Sequence, residues 1–152
     1  PVRGAWRPRS APPAARLPAG QAALERSRVV RARGIRGEVT ETVDVDEVRA
    51  LEAGGKPRKL IKCLKDTDPA VRRAAAEALG RLRERGAIID LTERLTLDKE
   101  PLVRAAAAAA LGRIGGAAVR LHAEPRLTGS AYGDPDPAVR ASAIEALDRI
   151  RR

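Results

Sequence analysis

The chain has 152 residues and a formal charge of +10, with one Trp, one Tyr, one Cys and neither Phe nor Met. A lone cysteine, Cys63, excludes an internal disulfide and a multi-Cys metal site and fits a reducing, cytoplasmic setting, and no apolar run reaches the roughly 18–20 residues of a membrane-spanning helix. With so few aromatics, Ala and Leu, helped by Val and Ile, must build the interior, which suits helices packed at short range because Ala has the best helix propensity and the smallest side chain that still has one.

The charge is uneven. Residues 1–36 hold nine Arg against one acid (Glu25), a net +8, while residues 37–152 hold 21 Lys and Arg against 19 Asp and Glu, a net +2. PVRGAWRPRSAPPAARLPAG (1–20) has five prolines, no acid and no apolar period. Proline breaks a continuous helix and the apolar content is too small to offset chain entropy, so disorder is expected. Residues 21–37 have ragged apolar spacing and at most a short helix. The chain therefore divides into a disordered or weakly helical basic segment, 1–40, and a folded domain, 41–152. An Arg-rich, acid-poor start is the composition of an organelle transit peptide and equally of a linker or the edge of a longer chain; these readings stay open. Such a segment binds nucleic acid or anionic surfaces nonspecifically by counterion release. Trp6 is its one aromatic, so it lacks a stacking platform for single strands.

From residue 43 the pattern becomes regular. VDVDEVRALEAGG (43–55) reads as a short helix, capped by Asp44 or Asp46 and stopped at Gly54-Gly55. In KPRKLIKCLKD (56–66), Leu60, Ile61 and Leu64 share a helical face. DTDPAVRRAAAEALGRL (66–82) then returns as DKEPLVRAAAAAALGRI (98–114) and as DPDPAVRASAIEALDRI (134–150). The buried stripes are expected at Val71, Ala75, Ala78 and Leu82; at Val103, Ala107, Ala110 and Ile114; and at Val139, Ala143, Ala146 and Ile150, each at helical spacing. Asp68-Pro69 and Asp136-Pro137 place an acceptor at the N-cap and proline at the first helical position, with Glu100-Pro101 a weaker version. Between copies, AIIDLTERL (87–95) is a second helix with Ile88, Leu91 and Leu95 on one side. AAVRLHAEPRLTGSAYG (117–133) reads as a helix to about residue 123 followed by an irregular loop from Pro125. A period between 20 and 50 residues is the mark of a stacked array.

The phrase D-x-D-P-x-V-R-x-x-A-x-x-A-L-G resembles the signature of HEAT repeats, most closely the PBS lyase HEAT-like type, over residues 43–152. The resemblance implies an all-α, right-handed α-solenoid of about three helical hairpins, in units of about 43-66, 67-97 and 99-133 with a terminal helix, 137-151. The first unit lacks the repeat phrase and reads as a cap. The outer side of the last helix, with Arg140, Glu145, Asp148 and Arg149, is polar enough to cap the other end. An Asp in each turn and an Arg six residues later recur as Asp66/Arg72, Asp98/Arg104 and Asp134/Arg140; in the family such pairs form a ladder of hydrogen bonds between repeats. These six residues are accordingly structural. A partly buried Arg needs a carboxylate or carbonyl partner in any case.

Candidates for chemistry are weak. His122 is the single histidine, whereas a metal site needs several converging ligands, and iron-holding relatives use multiple His-Glu pairs that this chain lacks. Ser130, His122 and Asp134 have neither a nucleophile elbow nor an oxyanion hole. GGKPRK (54–59) departs from the phosphate-loop pattern and is explained as a helix stop followed by a helix start. Tyr132 is the one aromatic of the repeat region, too few for a pocket around an extruded base. No metal, cofactor or catalytic residue is expected. Arg58, Lys62 and Lys65 fall on one face of a second helix, and the resemblance assigns second helices to the concave surface. With Arg94 they form the expected partner-binding set. The expectation is a noncatalytic protein–protein interaction scaffold or adaptor that meets an acidic partner on its concave surface. The alternatives are a nucleic-acid or anionic-surface adaptor and a bilin lyase-like accessory protein.

Overall fold

The computed structural model describes residues 43–152; the basic segment 1–40 and the disorder expected of it lie outside the described residues. Eight α-helices follow one another there: α1 Val45–Ala53, α2 Pro57–Cys63, α3 Pro69–Arg81, α4 Ile88–Leu97 behind a 3-10 turn at Arg85–Ala87, α5 Pro101–Ile114, α6 Gly116–His122, α7 Glu124–Gly133 and α8 Pro137–Arg151. No strand occurs among the described residues, and the fold is an all-α solenoid.

The helix starts follow from the local sequence. Asp44 caps α1 by accepting from the Glu47 N–H. Asp68 accepts from the Ala70 N–H and Asp136 from those of Ala138 and Val139, with proline next in both cases. Glu100 makes no such bond at α5, as its weaker sequence suggests. At the end of α1, Gly55 takes a left-handed φ of 58°, while the Gly54 and Lys56 N–H groups close onto the Ala50 and Leu51 carbonyls. Glycine carries little cost in that conformation, so the chain reverses there.

The helices form two layers. The A layer is α1, α3, α5 and α8, each packed on the next; the B layer is α2, α4 and α7, with α6 wedged beside them. Each B helix lies against the A helix that follows it: α2 on α3, α4 on α5, α7 on α8. The packing thus runs across the unit boundaries drawn from the sequence, and α8 has α7 along one side. One core continues through the stack, with Leu60, Leu79, Leu91, Leu111, Leu127 and Val139 all at 0% exposure.

The A helices approach one another unusually closely. A Cβ on Gly80 would sit 2.7 Å from the Ala110 Cα, and one on Gly112 would sit 2.8 Å from the Ala146 Cα. Glycine here is a matter of space rather than of backbone freedom. Ala76 and Ala108, one turn before these glycines, are fully buried on the same ridge. The expected stripes therefore identify one of two buried faces. Leu82, expected in the first stripe, is 39% exposed, because α3 ends at Arg81 and Leu82 is its C-cap. Its counterparts Ile114 and Ile150 are buried.

The irregular loop expected after residue 123 is instead a helix. Pro125 does not interrupt α7; it stands in its first turn, where a missing N–H breaks no helical bond and a fixed φ favours the start. Leu127 and Ala131, four apart, are buried and fasten this helix to the core. The break comes earlier, where Gly115 and Gly116 adopt φ of 58° and 84° between α5 and α6.

Candidate functional site: the turn ladder and the B-helix face

The conspicuous charges of the repeat phrase meet at the turns before the A helices. Arg72, on α3, donates from Nε and Nη2 to both oxygens of Asp98, at 2.8 and 2.9 Å. Its Nη1 donates backward to the Asp66 and Thr67 carbonyls. Arg104 repeats the arrangement, with a fork onto Asp134 at 2.8 and 2.9 Å and Nη1 on the Asp98 and Lys99 carbonyls. Each turn Asp also orders its own turn: Asp66, Asp98 and Asp134 accept from the N–H two residues on. So each Arg holds the carbonyls of its own turn and the carboxylate of the next.

These rungs are partly sealed from water. Side-chain exposure is 12% for Arg72 against 1% for Asp98, and 11% for Arg104 against 7% for Asp134. Burial alone would push the Asp98 carboxyl up, but the Arg72 fork, the Glu100 N–H and the Arg72 and Arg94 charges outweigh it and hold it below its usual range. Asp134 is likewise held low, first by its bonds from Arg104. Both arginines are correspondingly harder to deprotonate. The ladder is open at its ends. The Asp66 carboxylate receives no arginine among the described residues and accepts only from the Asp68 N–H. Arg140 keeps Nη1 on the Asp134 and Pro135 carbonyls, at 2.8 and 3.0 Å, but its Nε and Nη2 meet no carboxylate among the described residues.

The expected partner-binding residues separate. Arg58 and Lys62 lie on α2 and Lys65 in the turn just past its end at Cys63, and all three are exposed. Lys65 lies 3.4 Å from Asp90 of α4, so part of its charge is answered within the molecule. Arg58 and Lys62 make no ion pair among the described residues. Arg94 does not join them: it is 18% exposed, bonded to Glu93 at 2.8 Å and 3.7 Å from Asp98, and so supports a rung. Sequence reading missed the apolar part of this layer. Ile89 and Leu97 of α4 and Tyr132 of α7 are 62%, 68% and 84% exposed. Their signal was faint, since Ile89 and Leu97 sit at opposite ends of a helix whose middle follows the core period.

Elsewhere the geometry offers little chemistry. His122 is exposed at the end of α6. Asp134 is committed to Arg104, not to Ser130 or His122. Among the described residues, no three His, Cys, Asp or Glu side chains converge as metal ligands, and no helix is long and apolar enough to cross a membrane. Burial pushes the Cys63 thiol up, helped by the negative charges of Asp66 and Glu47, so it stays protonated at neutral pH. A groove of about 440 Å³ lies across α1, α3 and α5, walled by Val45, Ala74 and Leu102. Of its rim charges, Arg73 pairs with Glu77 across the groove wall, and Arg49 pairs with Asp46 outside it.

Two layers of short helices, keyed by one Arg–Asp rung per turn, define a repeat solenoid. Residues 58–82 match the family model for the HEAT repeat, and residues 71–96 match that for the PBS lyase HEAT-like repeat. The segment 58–96 is thus similar to HEAT-repeat sequence, and repeats of this kind generally mediate protein–protein interaction. No curated protein matches the chain.

Proposed function

We propose that the protein is a noncatalytic, cytoplasmic interaction scaffold that binds another protein along its B-helix face. The observation that supports this most is the exposed Ile89 and Leu97 on α4 and Tyr132 on α7, in the same layer as α2 with its exposed Arg58 and Lys62. Aromatic side chains and arginine are enriched in interface hot spots. A partner with acidic residues fits Arg58 and Lys62, which make no ion pair among the described residues. The extended face of a solenoid suits such docking, since successive repeats add surface without adding a pocket. The mixed charge of α4 and the Lys65–Asp90 pair make the face discontinuous as a track for nucleic acid.

The test is quantitative affinity capture with the full chain, compared with Tyr132→Ala and with Arg58→Glu/Lys62→Glu. The expected result is a defined protein set that both variants lose and that resists nuclease and moderate salt. Capture that vanishes with nuclease, falls steeply with salt and ignores Tyr132→Ala would replace the scaffold reading with the nucleic-acid one.

A further inference from the structure

The ridge of α8 that faces away from the stack has a charge pattern of its own. In α3 and α5 the equivalent ridge reads Arg72, Ala76, Gly80 and Arg104, Ala108, Gly112, and the next A helix covers it. In α8 it reads Arg140, Ile144, Asp148, with Ile144 48% exposed and Asp148 exposed. A further A helix could not close on it as α5 closes on α3. One Cβ at the glycine position already comes within 3 Å of the neighbour's backbone, and Asp148 adds a carboxylate beyond that.

Within the helix this ridge runs Arg140, Ile144, Asp148: plus, apolar, minus. Reversing the direction about Ile144 turns each charge into its opposite. An antiparallel copy centred on Ile144 therefore sets Arg140 against Asp148, twice. A parallel copy sets like against like. Packing of the i±4 ridges of two helices keeps such ridges side by side.

The groups are available for this. Arg140 is anchored by Nη1 on two carbonyls, so its Nε–Nη2 edge is already oriented. Among the described residues that edge makes no bond, and Arg140 is half-buried rather than buried. In the two preceding repeats the same edge grips a carboxylate. Asp148 makes no ion pair among the described residues.

We propose that α8 is a homodimerisation surface, on which a second copy of the chain docks its own α8 antiparallel about a two-fold axis at Ile144. Such an isologous contact requires a self-complementary patch, and this ridge is one. It lies at the end of the stack, away from the Arg58–Lys62 face, so it does not depend on the scaffold reading. A single helix face is smaller than the roughly 800 Å² per partner of a stable complex, so the dimer is weak and forms at high concentration.

Sedimentation equilibrium of the full chain from about 10 µM to about 1 mM covers the affinities expected of so small an interface. The apparent mass should rise from 16.2 kDa toward twice that value, less so at high salt. Asp148→Arg, an exposed change in the last turn that suits the helix dipole, should weaken association at least about tenfold while leaving the circular dichroism spectrum unchanged. Ile144→Ser should weaken it too. Mixing Asp148→Arg with Arg140→Asp should restore association as a heterodimer, since each variant then faces its opposite. A wild-type chain that stays monomeric, a dimer indifferent to Asp148→Arg, or a folded pair of variants that fails to associate would each overturn the proposal.

Discussion

The A helices and the B helices share one core, yet they are held by different means. The A layer is interlocked by Ala and Gly at near-contact distance and cross-linked at its turns by buried Arg–Asp forks. The B layer is shorter, is broken at α6–α7 and touches its neighbours mainly through Leu and Ile on one side. Its other side carries exposed Tyr132, Leu97 and Ile89 and a partial set of cations. The difference shows how a small array separates its tasks. Register and spacing are set where side chains are tiny or doubly bonded, and the layer relieved of that duty is free to vary its surface.

Substitutions that attack one layer and spare the other sharpen this contrast. The largest effect is expected from Leu147→Asp. Leu147 is buried between α8 and the preceding helices, and an unpaired carboxylate there adds to the loss of a Leu side chain, costing more than about 4 kcal/mol. Because solenoid repeats contact only their neighbours, α8 should open at lower urea than the rest, with early hydrogen exchange over residues 137–151. A single transition with an unchanged midpoint would show that α8 does not dock as described.

Next comes the ladder. Asp98→Ala leaves the part-buried Arg72 without its carboxylate and should cost about 3–5 kcal/mol. Asp66→Ala, at the end of the ladder that receives no arginine, loses one turn hydrogen bond and should cost about 0.5–1.5 kcal/mol. Near-equal midpoints for the two in urea titration would mean that the rungs add nothing to the turns themselves.

Acid reaches the same bonds without mutation. Asp98, Asp134 and Glu52, the last held low by its bonds from Arg81, are all depressed in the fold. Between their folded and unfolded values the unfolded chain binds more protons, so stability rises with pH there. The contribution is complete above the unfolded carboxylate range of about 4 and is lost as pH falls through the lower folded values. The melting temperature should be level from pH 7 to about pH 5 and drop below about pH 4. Asp98→Ala should flatten part of that drop.

One substitution made in both layers contrasts them in sign rather than in size. Gly112→Ala drives a Cβ against the Ala146 backbone and should destabilise by about 1–3 kcal/mol. Gly129→Ala, on the open side of α7 with nothing within 4 Å, should stabilise by up to about 1 kcal/mol through helix propensity. Thermal melts of the two should move in opposite directions.

Much of the A layer was legible in the sequence because its signals are short-range. Asp-Pro fixes a helix start, and valine and leucine at helical spacing fix the face beneath them. The family resemblance implied a ladder between repeats from the pairs Asp66/Arg72, Asp98/Arg104 and Asp134/Arg140, without saying which carboxylate each Arg takes; the forks run from Arg72 to Asp98 and from Arg104 to Asp134, the Asp of the following turn. The second buried face was not legible. In AAAAAA (105–110) every position is Ala, so periodicity cannot say which side is covered, and only Gly80 and Gly112 mark the close approach. Leu82 failed because a regular stripe takes no account of where the helix stops. Pro125 was read as a breaker when its place in the first turn makes it a starter, a distinction that depends on where Leu127 and Ala131 find a core. On the candidate face, spacing carried the helix of Arg58 and Lys62 on to Lys65, whereas the helix stops at Cys63. The partners that withdraw Arg94 and part of Lys65, namely Asp98 and Asp90, come from neighbouring turns and helices that spacing does not reveal.

The rung from Arg72 to Asp98 spans 26 residues and the rung from Arg104 to Asp134 spans 30, yet both close at 2.8 and 2.9 Å. The four additional residues are absorbed by the break at Gly115-Gly116 and the doubled helix α6–α7, entirely behind the ladder. That makes the exposed stretch 116–118, ahead of the buried Val119, a natural splice point. A fluorophore, an epitope or a whole guest module inserted there would extend the back of the molecule without disturbing the register of its front, so the architecture comes with a place already prepared for grafting.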